Sequence, residues 1–115
     1  MEEFTELATE LVDEVPPLLC KNLNGGFIVM PEAKTEGDSY IMAEYIEEET
    51  LGMFIAFYYG SFAAVLGSAR LDVWKEEIRL TIWHELRHHL ESLAGTEDLA
   101  KEERELLEKY YKNKG

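Results

Sequence analysis

The stretch Trp83-His84-Glu85-Leu86-Arg87-His88-His89 holds all three histidines of the chain. His84 and His88 stand four residues apart, and on a helix such residues share one face, about 6 Å apart. Two imidazoles placed in this way can hold one divalent ion between them. Glu85 lies beside that face and can reach a metal-bound water without ligating the ion. Zn2+ lowers the pKa of that water toward about 7, and a carboxylate takes its proton as it attacks a carbonyl. The spacing therefore predicts a Zn2+ site with His84 and His88 as ligands and Glu85 as general base. A solvated helix face carrying two histidines is the plainer alternative.

A catalytic zinc needs a third protein ligand and an open position for water. Four carboxylates compete for that place. Asp98 is favoured, because Gly95 in Gly95-Thr96-Glu97-Asp98 lets the chain turn back toward the ion. Glu97 offers the same return one residue earlier. Glu91 shares the helical face of His84 and His88 but lies about 10 Å along the axis from His84, so three ligands from one straight helix would splay. Glu108 is one helical hairpin away from His88, on a stretch rich in glutamate.

These residues need a helix to carry them. Trp74, Ile78, Ile82, Leu86 and Leu90 recur every four residues, with Leu93 near the same stripe, which predicts a long helix over 71–93. Asp72 suits its N-cap or first turn. Gly95 is expected to end it, Thr96 to cap another, and 97–111 to form a charged C-terminal helix. Upstream, Phe4, Leu7, Ala8 and Leu11 predict an opening helix that Pro16-Pro17 stops. Leu18 to Leu23 suits a short further turn. Between the helices, strands are expected at 27–30, 40–48 and 53–59, with 31–39 as a loop and Gly60-Ser61 as the end of the third strand. Glu47-Glu48-Glu49 reads as a solvated strand end. The third strand is apolar on both faces, so it belongs inside a sheet or under helices. The order predicts an α+β domain spanning 1–115: an N-terminal helix, a small mixed sheet of three to four strands, the long helix and a C-terminal helix.

Composition narrows the partners. The chain has 115 residues, enough for one domain, and a net charge of −13 from 24 acidic and 11 basic residues. That argues against nucleic acid, which needs a basic face, and against an anionic membrane surface. The 19 uncharged residues from Leu51 to Ala69 approach a membrane span in length, but they contain Gly52, Gly60 and Gly67 and read better as a buried strand. Cys20 is the single cysteine, which excludes an internal disulfide, and the acidic N-terminus is unlike a secretory signal. A cytoplasmic location is the expectation; the oligomeric state is left open.

The sequence resembles the bacterial minimal zincin-like metallopeptidases, short single-domain proteins. The resemblance runs from about Phe4 to Tyr111. It rests on the helix ending in Pro16-Pro17, on Gly26-Phe27-Ile28-Val29-Met30-Pro31-Glu32, on Leu51-Gly52 leading to Ile55-Ala56-Phe57-Tyr58-Tyr59-Gly60-Ser61-Phe62, and above all on 84–95. It implies a zinc-dependent hydrolase acting on a peptide or protein, with the double histidine at the motif's end and an acidic ligand beyond a glycine. In shorter members the glycine comes three residues after the second ligand and the acid three after that. Here Glu91 and Ala94 hold those places, and the glycine-x-x-acid pattern returns four residues later as Gly95 and Asp98, about one helical turn further on.

Smaller expectations complete the reading. His89 is either a donor behind the metal face or a surface residue. Arg87 is a surface or salt-bridge residue. Tyr45, Tyr58 and Tyr59 suit packing first and an oxyanion donor second. An apolar strand such as 53–59 would line the cleft and pair with an extended peptide. Two rival functions stand beside the peptidase: a metal-binding or interaction module without turnover, and a metal-free acidic adaptor for a basic partner.

Overall fold

The computed structural model describes residues 2–20 and 22–95. The C-terminal helix expected over 97–111 lies outside the described residues, and so do Glu97, Asp98 and Glu108.

The opening helix is α1 (Glu2–Asp13), which buries Phe4, Ala8 and Leu11 and leaves its glutamates in water. Pro16 cannot continue it, and a short 3₁₀ turn follows over Pro17–Cys20 with Leu19 fully buried. The first strand is β1 (Gly26–Met30). Residues 31–39 hold more than the expected loop. They carry a two-stranded hairpin, β2 (Lys34–Glu36) and β3 (Ser39–Ile41), closed by Gly37-Asp38. Gly37 sits at φ +60°, a turn conformation that glycine adopts without strain. The hairpin buries nothing on β2, so no apolar alternation announced it.

The expected strand over 40–48 breaks at Met42 into β3 and β4 (Ala43–Glu48). The break changes the facing. Ala43 and Tyr45 pack with the main core, whereas Ile41 joins the small cluster on the opposite face of the sheet. β5 (Gly52–Tyr58) is the centre of a three-stranded mixed sheet, parallel to β1 on one side and antiparallel to β4 on the other. Its two faces feed different clusters, Ile55 and Phe57 under the helices and Phe54, Ala56 and Tyr58 behind. Double-sided burial is what its unbroken apolar sequence predicted. Because both edges of β5 are occupied, it cannot add a peptide strand, which corrects the expectation placed on 53–59.

Gly60-Ser61 does not end the segment in a turn. Tyr59 begins a further helix, α2 (Tyr59–Leu66), which buries Ser61 and Phe62. Its apolar stretch Phe62-Ala63-Ala64-Val65-Leu66 has no polar face to reveal the period. Ser61 Oγ accepts from Lys34 N at 2.9 Å and donates to Lys34 O at 3.1 Å, tying the helix to the hairpin. α3 (Leu71–Gly95) then runs 25 residues and buries Ile78, Ile82, Leu86, Leu90 and Leu93 against the sheet. Asp72 lies in its first turn, where its carboxylate accepts from Val73 N. Trp83 is buried and Trp74 half-buried beside Phe4 and Tyr59. Cys20 is half-buried, and burial raises its thiol pKa. No helix among the described residues is long and apolar enough to cross a membrane.

The seam between α2 and the hairpin gives a test of packing. A Cβ added at Gly60 would come within 2.4 Å of Ala33 N, and backbone cannot yield as a flexible side chain would. Gly60→Ala should therefore cost about 1–3 kcal/mol in urea unfolding. A variant as stable as the wild type would mean that this seam opens freely.

Candidate metal centre

Burial of Leu86 and Leu90 orients α3 and leaves its other residues no choice of direction. At about 100° per residue, His84 and His88 lie about 160° from Leu86, on the side away from the core. Both are exposed. Their Nε2 atoms are 3.2 Å apart and their rings nearly perpendicular, at 89°. A tetrahedral zinc with bonds of about 2.0–2.1 Å holds two nitrogens about 3.3 Å apart, so the pair already has the bite of such an ion. The same separation lets the rings share a proton. The carboxylate of Glu85 joins them, with one ligand atom from each of the three residues within 4.8 Å of one another. Two imidazole nitrogens with a carboxylate close by suit zinc and other divalent metals.

Glu85 occupies the flank of α3 that faces β4 and is only 7 % exposed. Burial raises the pKa of its carboxyl, and the charge of Glu44 adds to that; His88 and the backbone amide of Tyr45 pull the other way. Burial dominates, so the group holds a proton more readily than a surface glutamate. A carboxyl whose proton affinity is raised is better suited to take up a proton and return it than a surface carboxylate.

His89 is also on the flank and is fully buried, which removes the surface alternative. Its Nδ1 lies 2.9 Å from Tyr45 Oη. Tyr45 thus meets α3 twice, with its hydroxyl at His89 and its backbone amide at Glu85, four residues earlier on the same helix. One turn beyond, Ser92 Oγ donates to Glu47 Oε1 at 2.5 Å, so Glu47 is a helix contact rather than only a solvated strand end. Tyr45 was expected as a packing residue first; its link to Glu85 runs through the backbone, for which no sequence pattern exists.

The other candidates separate cleanly. Glu91 is exposed and pairs with Arg87 at 2.9 Å, apart from the three-residue group. Arg87 has the salt-bridge role expected of it. Tyr58 donates to Glu44 Oε1 at 2.6 Å, and Tyr59 packs on Phe4 and Trp74. Glu44 also binds the ammonium of Lys34, which stands 5.4 Å from the centroid of the Tyr58 ring.

Among solved structures the fold is similar to a conserved hypothetical protein from Thermo thermophilus, with 42% sequence identity and a TM-score of 0.74 over 83% of this chain and 97% of that one. The two proteins belong to one family. The shared family is α+β in fold, and the name of this solved relative specifies no activity. No family model matches the chain, and no curated protein does.

Two measurements test the surroundings of Glu85. Tyr45→Phe and His89→Leu each remove one end of the same contact, so their losses of stability should be non-additive by about 0.5–3 kcal/mol in a double-mutant cycle. Simple additivity would mean that the two groups do not bind each other. Glu44 has a lowered pKa, chiefly through its hydrogen bond from Lys34 and then that from Tyr58. The fold therefore favours its ionised form; this stabilisation is complete above the ordinary value of 4.5 and is lost as pH falls through the lower folded value. Stability against pH should accordingly fall less steeply below 4.5 in Glu44→Gln than in the wild type.

Proposed function

We propose that this protein is a zinc-dependent peptidase of zincin-like architecture, working in the cytoplasm on a peptide or protein substrate. The observation that supports it most is the pair of exposed imidazole nitrogens 3.2 Å apart with the buried carboxylate of Glu85 beside them. His84 and His88 would hold the zinc, and Asp98, beyond the described residues, is the third ligand we favour. Glu91 is less suited, since Arg87 already engages it.

Bound zinc supplies a Lewis acid and an acidified water. The chain's own residues do the rest. Glu85 takes a proton at its carboxylate and returns it to the leaving amine. Tyr45 holds that carboxylate through its amide, with His89 fixing the tyrosine from below. Partial exclusion of water at Glu85 keeps its proton affinity high. The outer edge of β4 pairs with no strand among the described residues, so β4 rather than β5 is suited to align an extended peptide beside α3.

Protein purified without chelators should carry one zinc per chain, and His84→Ala and His88→Ala should each lose it. Asp98→Ala should weaken zinc binding far more than Glu91→Ala; the reverse result would move the third ligand. Glu85→Gln should keep the metal and lose hydrolysis by at least about 10²-fold. Hydrolysis that survives in Glu85→Gln overturns the mechanism.

A further inference from the structure

A cavity of about 450 Å³ opens beside the candidate centre and shares His84 and Glu85 with it. The rest of its lining is Ile41, Met42, Ala43, Leu80 and Thr81. None of these five carries a charge. The hydroxyl of Thr81 donates its proton to the carbonyl of Glu77 at 2.7 Å, so it has no donor left for a polar ligand.

One apolar residue of this lining has no place in either core cluster. Leu80 is 42% exposed and belongs to neither hydrophobic cluster, although it stands one helical turn before His84 on nearly the same face. The facing wall is formed by Ile41 and Met42, where the chain passes from the hairpin to β4; Met42 also packs on the main core and Ile41 on the small cluster. Ala43 keeps its floor clear where a larger side chain would fill it. A methionine wall adapts to different apolar shapes.

We propose that this cavity seats an uncharged apolar side chain of leucine or phenylalanine size, on a substrate residue flanking the bond to be cut; the assignment rests on the peptidase reading above. A charged side chain placed there would lose its hydration against five uncharged groups; Glu85, the one carboxylate of the lining, is replaced in the protein used for the test below. A glycine would leave the apolar walls wet.

The test uses the zinc-loaded Glu85→Gln protein and fluorescein-labelled hexapeptides of Gly and Ala that differ at one central position. Peptides with Leu or Phe there should bind at least about tenfold more tightly than those with Gly, Asp or Lys. Leu80→Asp, at an exposed position, should erase that preference without changing zinc content. Equal binding across the panel, or a preference untouched by Leu80→Asp, overturns the apolar seat. Cleavage by the wild-type protein separates the two readings. A panel preference without any hydrolysis leaves the seat standing and removes the peptidase, whereas hydrolysis indifferent to the central residue removes the seat and leaves the peptidase.

Discussion

Burial of one stripe of α3 against the sheet dictates where every other side chain of that helix points. Ile78, Ile82, Leu86, Leu90 and Leu93 are at most 1% exposed. Each contributes about 1.5–3 kcal/mol through burial, and their sum far exceeds any preference of the polar residues for another orientation. Leu86 is an interior residue of the His-Glu-x-x-His motif itself. Its burial therefore turns the motif with the helix, sending both histidines to water and Glu85 to the flank. The chemistry of the site is a consequence of which leucines are inside.

The second constraint is the clasp between β4 and that flank. Tyr45–His89 and Glu47–Ser92 join strand to helix about one turn apart, and the Tyr45 amide reaches Glu85 one turn before His89. Edge strands are among the more mobile parts of a sheet, because only one side is laddered. Here the clasp supplies the missing restraint on the side nearest the candidate centre. The carboxylate of Glu44, held by Lys34 and Tyr58, is close enough to add slightly to the raised pKa of Glu85. The surroundings thus act on one carboxylate through burial, one amide and two charges, and burial outweighs the rest.

Elements with a strong period were legible: α1, α3 and the apolar β5. Elements lacking one were not. The hairpin β2–β3 has a wholly polar, exposed first strand and is held by its turn and by Ser61, and α2 is too uniformly apolar to show an amphipathic face. At the site, the pairing of His84 with His88 followed from spacing alone, because helical geometry is local. The burial of His89 did not follow, since a residue about 60° from Leu86 on the helix is buried or exposed according to what lies opposite.

What the amino-acid order determined by itself was local: the four-residue spacing of the imidazoles, the stripe that would be buried, and the prolines and glycines that punctuate the chain. These depend on backbone geometry over one or two turns. The tertiary structure decided which strand became an edge, how deeply Glu85 was withdrawn from water, and which group fixed it. Those are contacts between residues some forty positions apart, such as Tyr45 and His89. No local pattern encodes them, because they exist only after strand and helix have packed on one core.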